Sequence, residues 1–217
     1  MSLTSGNFRY NQINAKKQFE LILSAILKSH QMMLNDYEKI ERNENSIRNR
    51  LWKDYLNNNQ NRELLKINQY IFKAENSEVG DNYKETGRHD IQIINPIEFC
   101  RNTNAYFIIE CKLLENTKIG KGSLNHKYVE NGIKRFIERN DYPSYYGLNG
   151  MIGFIVKSVD INKMVAAINK LLPANEQITE YTFSSENGNT YKSEHHDFQD
   201  KNIQLYHLML DFSDLIE

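Results

Sequence analysis

Two short runs constrain this chain more than any other feature: Gly87-Arg88-His89-Asp90-Ile91-Gln92-Ile93-Ile94 and Ala105-Tyr106-Phe107-Ile108-Ile109-Glu110-Cys111-Lys112. Each is rich in β-branched and aromatic residues and is bounded by turn formers, the pattern of a strand. Asn95-Pro96 and Arg101-Asn102-Thr103-Asn104 lie between them, a polar connection of about ten residues, longer than a tight hairpin loop. The runs are therefore expected as adjacent strands. Asp90 stands early in the first. Glu110 and Lys112 close the second, and strand alternation turns both to one face while Cys111 turns to the other, toward a core. Two acids and a lysine then meet where the pattern otherwise describes sheet interior. One explanation is an ion pair at the strand ends, which would contribute about 0–1 kcal/mol. The other is a site for a hard cation, with carboxylate oxygens binding Mg²⁺ and the lysine stabilising charge on a phosphate or an attacking water.

At 217 residues, 40% hydrophobic and 25% charged, the chain is expected to bury a full core as one domain with a helical extension. The division anticipated is 1–43 for the extension and 44–217 for the domain. A net charge of −1 excludes the global basic signature of many nucleic-acid binders, although a locally basic groove is compatible with it. Cys100 and Cys111 fit neither a disulfide framework nor a zinc site, and both are expected as buried, reduced thiols in a cytoplasmic protein. No apolar run approaches the roughly 20 residues that span a bilayer, so no membrane partner is anticipated. No secretory leader pattern opens the chain.

Taken in order, Lys16 to Ile40 has helical spacing, with Phe19, Ile22, Leu23, Ile26, Leu27, Met33, Leu34 and Tyr37 on an apolar face. A second helix follows Glu38, Glu41 and Glu44, buries Ile47, Leu51, Tyr55 and Leu56, and ends at Asn57-Asn58-Asn59. Glu44, near its start, suits the helix macrodipole. The segment from Leu64 to Ala74 is expected to contain the first strand, and the polar stretch from Asn76 to Thr86 a hairpin or loop. After the two opening runs, Leu113 to Leu124 forms a connection bearing Lys118 and Lys121, with Lys127 beyond it. These lysines directly follow the acidic strand and are candidates for phosphate contact. Asn125 to Arg139 is helical, with Val129, Ile133, Phe136 and Ile137 on one side and Gly132 among them. Such a glycine costs about 1 kcal/mol relative to Ala unless close packing requires it. Lys127 and Arg135 would flank the site, whereas Lys134 suits solvent. Gly150 to Val156 is nearly all apolar, the mark of a strand buried on both faces. A helix over Val159 to Leu172 is stopped by Pro173, and Ile178 to Ser184 and Ile203 to Leu210 extend the sheet. Between them, His195-His196-Asp197 lacks the second ligand pair of a zinc site. Ser193 and His195 share a face if that segment is extended, and either line the groove or cap a loop. No glycine-rich phosphate loop, nucleophile elbow or internal repeat is visible.

Asp90 on one strand, Glu110-Cys111-Lys112 on the next and the order α-β-β-β-α-β resemble the PD-(D/E)XK nuclease superfamily, the restriction-endonuclease-like fold. His89 stands where many members have proline before the Asp. Wider phrases, Tyr128-Val129-Glu130-Asn131-Gly132-Ile133-Lys134-Arg135-Phe136 and Gly150-Met151-Ile152-Gly153, are similar to small nuclease proteins of bacterial defence systems. The resemblance spans about Glu44 to Val156. It implies an α/β fold with a restriction-endonuclease-like αβββαβ core, a central mixed sheet flanked by helices, the N-terminal helical extension and extra C-terminal strands. It also implies Mg²⁺-dependent phosphodiester hydrolysis, Mn²⁺ being an alternative ion, with DNA the first substrate. Asp90, Glu110 and the Cys111 backbone carbonyl would hold the ion and Lys112 would act on the phosphate. Glu44 would supply a further acid from the helix before the sheet. Lys118, Lys121, Lys127, Arg135, Ser193 and His195 are the candidate substrate contacts. Partners implied are a homodimer mate or other subunits of a defence complex. The rival from another class is a catalytically idle fold acting as a binding subunit of such a complex.

Overall fold

Helices cover both faces of a seven-stranded mixed sheet in this computed structural model, which describes residues 5–79, 85–139, 142, 144–184 and 188–217. Helix α1 (Ser5–Asp36) comes first, then α2 (Glu44–Arg50), which continues as a π-helical turn over Leu51–Leu56, and α3 (Asn59–Leu64). Strands β1 (Ile71–Val79) and β2 (Glu85–Ile94) form a hairpin whose tip, 80–84, lies outside the described residues. The connection to β3 (Tyr106–Leu114) carries the single-turn helix α4 (Pro96–Phe99), capped by Asn95 and opened by proline at its first turn. Helix α5 (Leu124–Tyr128) passes through a π-helical stretch, Val129–Ile133, into α6 (Lys134–Ile137). Strand β4 (Leu148–Ile155), α7 (Ile161–Asn169), and strands β5 (Thr179–Glu180), β6 (Asn189–His196) and β7 (Asn202–Asp211) complete the chain.

The strand order is β1-β2-β3-β4-β7-β6-β5. β3 and β7 flank β4 in parallel, and the remaining pairs are antiparallel. All eight β4 residues are buried, as a strand covered on both faces should be. On one face Phe19, Ile22, Ile26, Ile47 and Leu51 from α1 and α2 pack on Ile91, Phe107, Ile109 and Cys111. On the other, Tyr128, Ile133, Phe136 and Ile168 from α5, α6 and α7 pack on Ile108, Met151 and Met209. The N-terminal helical segment thus shares its core with the sheet.

Several expectations shift. Helix α1 ends at Asp36, and Ile40 instead forms a parallel bridge with Ile216. The first strand starts only at Ile71 and runs on through Asn76-Ser77-Glu78 into the hairpin with β2, the hairpin alternative expected for the stretch from Asn76 to Thr86. β1 is an edge strand with one neighbour, so backbone pairing to β2 holds polar residues there without burial. Tyr191 to His196, taken above as lying between strands, is itself strand β6. Only Thr179–Glu180 of the segment from Ile178 to Ser184 pairs. Cys111 is buried as expected, whereas Cys100 is exposed at the end of α4, where no layer covers it. Among the described residues no helix is long and apolar enough to cross a membrane.

Candidate active site

The site begins where β2 and β3 part. Their pairing runs from Ile94↔Tyr106 to Ile91↔Ile109 and goes no further. Past that point β3 still pairs with β4 on its other edge, but its Cys111 and Leu113 N–H groups have lost β2 as a partner. Buried backbone donors need acceptors, and two carboxylates supply them. Asp90 Oδ2 accepts from the Cys111 N–H at 2.7 Å, and Glu44 Oε2 accepts from the Leu113 N–H at 3.0 Å. The splay of two strands thereby fixes two acids from distant parts of the chain beside Glu110.

Lys112 occupies the centre. Its Nζ donates to Glu110 Oε1 at 2.7 Å, to the Cys111 carbonyl at 2.6 Å and to Glu44 Oε1 at 3.3 Å, with Asp90 Oδ2 at 3.8 Å. Burial alone would push this ammonium's pKa down, but Glu110, Asp90 and Glu44 outweigh it and hold the pKa well above its ordinary value. Glu110 is only 1% exposed. Burial raises its pKa and the Asp90 charge adds to that, while Lys112 and Arg135 offset part of the effect.

Three side chains complete the arrangement. Arg48, one turn beyond Glu44 on α2, donates to Asp90 Oδ1 at 2.6 Å and to Glu75 Oε1 at 2.9 Å. Arg135 on α6 donates to Glu110 Oε1 at 2.9 Å, and its guanidinium lies 4.3 Å from the Tyr142 ring centre. The Tyr142 hydroxyl donates to Glu110 Oε2 at 2.7 Å and also lies 2.8 Å from the Arg88 carbonyl. Sequence reasoning missed Arg48, Glu75 and Tyr142. The i,i+4 spacing of Glu44 and Arg48 was a signal for the first; no local pattern pointed to the other two. Beside Asp90, the His89 imidazole is fully buried; among the described residues neither ring nitrogen is hydrogen-bonded, and Nε2 lies 3.3 Å from Glu78 Oε1. Burial, with Arg135 nearby, lowers its pKa to about 4.

Glu44 and Lys112 open into a cleft of about 690 Å³ between the start of α2 and the α5–α6 helix, whereas Asp90 and Glu110 are not among its lining residues. Lys112, Glu44, Lys127 and Arg135 line it; Lys118 and Lys121 stand on the exposed loop before α5 and are not among its lining residues. Ser193 and His195 are buried instead in a hydrogen-bonded chain of their own. Ser193 Oγ lies 2.7 Å from His195 Nε2 and 2.8 Å from His207 Nε2. His207 Nδ1 lies 2.8 Å from the Tyr128 hydroxyl, and His195 Nδ1 lies 3.0 Å from Glu176 Oε2. An ionised carboxylate only accepts, so His195 carries its proton on Nδ1 and accepts at Nε2 from Ser193. Ser193 then accepts from His207 Nε2–H, and His207 Nδ1 accepts from the Tyr128 O–H. Every donor from Tyr128 to Glu176 points the same way. Burial keeps both imidazoles neutral, lowering the His207 pKa to about 3 and that of His195 below its ordinary value.

The acceptors around Lys112 Nζ are all carboxylate or carbonyl oxygens, the chemistry that suits Mg²⁺, and they already address a single cation. With the ammonium among them, no three metal-ligating side chains form a ready-made cage among the described residues. Fold and site together define an α/β protein with a seven-stranded mixed sheet and a buried acid–lysine cluster opening to a partly basic cleft. No family model, curated protein or solved structure matches the chain.

Proposed function

We infer that this chain is a metal-dependent nuclease with a restriction-endonuclease-like core, cutting phosphodiester bonds, DNA first, in a prokaryotic defence or restriction-type system. One observation carries the proposal: Asp90, Glu110, Glu44 and the Cys111 carbonyl, from α2, β2 and β3, all address the Lys112 ammonium at the floor of one cleft. Folding alone has no use for so many buried charges, because desolvation makes such clusters a weak source of stability. Helices α1–α3, strands β1–β3, helix α5–α6 and strand β4 follow the order the superfamily implies, with α4 added.

Lys112 stays protonated among its carboxylates, so its part is to stabilise charge developing on a phosphate rather than to abstract a proton. Arg135 and Tyr142 fix the Glu110 carboxylate through both oxygens, and Arg48 holds Asp90 Oδ1 while the Cys111 N–H holds its Oδ2. Such preorganised groups act more strongly in a water-poor site than in bulk solvent. Asp90, Glu110 and the Cys111 carbonyl, with Glu44, are the residues that would hold Mg²⁺ or Mn²⁺. When bound, the ion would polarise a phosphoryl oxygen and lower the pKa of a bound water.

The test is cleavage of plasmid and single-stranded DNA with Mg²⁺ or Mn²⁺ by the wild type, Lys112→Ala and Asp90→Ala. Metal-dependent cutting by the wild type and a loss of about 10²–10³-fold in each variant is the expected result. A specific observation favours a second reading, the catalytically idle fold: each carboxylate oxygen of Asp90, Glu44 and Glu110 already has a donor within the chain. Calorimetry separates the two. Absence of both cutting and Mn²⁺ binding in the wild type would establish a structural ion-pair cluster instead.

A further inference from the structure

Two large aromatic rings stand open to solvent at one groove beside Tyr142. Tyr145 is 50% exposed and Phe198 48%, and both line the groove together with Tyr142, Asn104, Gln199 and Lys201. Apolar residues scattered singly over a surface need no explanation. Here the rings come from separate connections, the one between α6 and β4 and the turn between β6 and β7, to the same place. Folding gains most from an aromatic ring when it is buried, and these two are not.

Both rings are held ready. Tyr145 packs edge-on against Tyr146, with 4.9 Å between ring centres. Tyr146 stacks on Phe107 at 4.7 Å and Phe107 on Phe19 at 4.7 Å, so a column of rings rises from the core and ends at the groove. Phe198 rides on a turn closed by Asp197, whose Oδ1 accepts from the Gln199 and Lys201 N–H groups at 2.8 and 2.9 Å. The Asp197 N–H donates in turn to the Lys201 carbonyl at 2.9 Å. Lys201 Nζ donates to the neutral Gln199 Oε1 at 2.6 Å and brings positive charge to the groove. Rings fixed in this way lose little conformational freedom when a ligand arrives. Flat apolar faces, amides from Asn104 and Gln199 and one ammonium match a nucleotide part by part: base face, base edge and phosphate. A purely apolar partner would leave the amides and the ammonium without a role.

Tyr142 joins the groove to the acid–lysine cluster, because it lines the groove and its hydroxyl donates to Glu110 Oε2 at 2.7 Å. We propose that the groove is a nucleobase subsite in which Tyr145 and Phe198 hold a base of a nucleic-acid strand by stacking and Lys201 meets its phosphate. The proposal deepens the nuclease reading and rests on it for the phosphodiester that lies next to that base. A base inside a duplex has both faces stacked and its edge paired, so the subsite takes a base free of its partner, in a single strand or turned out of a helix. The rings touch the base alone, and deoxyribose and ribose strands both fit them.

The experiment is fluorescence polarisation in EDTA, where metal-dependent cutting is off, with two labelled probes over a series of salt concentrations. One is oligothymidylate; the other is an abasic strand of equal length, which keeps every phosphate and lacks the bases. Wild type, Tyr145→Ala, Phe198→Ala and Tyr145→Phe are compared after circular dichroism confirms folding. Wild type should bind oligothymidylate about ten-fold or more tighter than the abasic strand, and each alanine variant should lose about five-fold or more on oligothymidylate alone. The slope of log K against log salt should stay at its wild-type value in both, because a stacked ring releases no counterions. Tyr145→Phe, which keeps the ring, should bind as wild type does. Equal binding of the two strands by wild type overturns the subsite, as do wild-type affinity in both alanine variants, losses that extend equally to the abasic strand, or no binding at all. The two readings fail separately: base-dependent binding without metal-dependent cutting sinks the nuclease, and cutting without base-dependent binding sinks the subsite.

Discussion

Replacing Ser193 with alanine tests the buried hydrogen-bonded chain through the one atom on which it turns. Ser193 Oγ bonds both His195 Nε2 and His207 Nε2, and all three residues are at most 2% exposed. The substitution removes two hydrogen bonds and leaves the His207 Nε2–H donor and the His195 Nε2 acceptor buried without partners. A buried group left unpaired costs about 1–3 kcal/mol. Two of them, with slight relaxation of the His195 end toward Glu176, give a loss of about 3 kcal/mol. In a chain of this size 1 kcal/mol shifts Tm by about 2–4 °C, so Tm should fall by about 6–12 °C. Urea unfolding at pH 7 measures the free energy, and an unchanged m-value shows that the native state keeps its compactness. Long-range ¹⁵N correlation spectra of the imidazoles provide an independent check. Wild type should show His207 protonated on Nε2 and His195 on Nδ1. A Ser193→Ala variant within about 0.5 kcal/mol of wild type, or the opposite tautomers, would refute the one-way chain from Tyr128 to Glu176.

Arg48→Ala leaves Asp90 Oδ1, on a side chain 13% exposed, without its guanidinium partner while Oδ2 keeps the Cys111 N–H, and should destabilise by about 1.5–3 kcal/mol in urea; a loss under about 0.5 kcal/mol would mean that Asp90 does not depend on Arg48. Gly132→Ala presses a methyl on Met151 Cε at 2.4 Å, the far end of a flexible side chain that can turn aside, and Ala gains about 1 kcal/mol in helix propensity, so the net cost should stay within about 1 kcal/mol. Adding Met151→Leu, which removes that terminal carbon, should recover most of it, and no recovery would place the strain elsewhere. Stability should also fall on acidification. His207 and His89 have folded pKa values lowered to about 3 and about 4, against about 6.5 unfolded. A base with a depressed folded pKa lets the unfolded chain take up protons first, so stability is full above about pH 6.5 and drains as pH falls toward those values. From pH 7 to pH 5 each contributes a loss of about 2 kcal/mol. Flat unfolding free energies across that range would show that the two imidazoles are not held neutral.

Local chemistry carried much of the architecture. The all-apolar stretch from Gly150 announced β4, and the alternation of Glu110, Cys111 and Lys112 correctly turned the acid and lysine away from the core that buries the cysteine. Spacing around Val129 and Ile133 announced a helix, and Gly132 within it marked the close approach to the sheet. Edge strands were less legible. β1 continues through Asn76-Ser77-Glu78 because its partner, not its side chains, holds it there, past Glu75, which is left-handed (φ 51°) and has no place in the pairing register. β6 was obscured for a related reason: Ser193, His195 and their neighbours are polar, and the side-chain hydrogen bond between Ser193 and His207 of β7 satisfies them in the interior.

The sequence by itself determined which residue types could form a hard-oxygen site, because Asp90, Glu110 and Lys112 sit on strand-forming runs whose period of two sets their faces. Tertiary structure alone decided what each charge touches. Arg48 reaches Asp90 across 42 positions of chain, and Tyr142 reaches Glu110 across 32. Ser193 and His195 were drawn away from the cleft into a chain ending at Tyr128 and Glu176. Periodicity is a property of neighbouring residues and is written along the chain. Where β2 parts from β3, and which carboxylates then turn to the exposed N–H groups, depends on strands and helices meeting in space, and no local spacing records that.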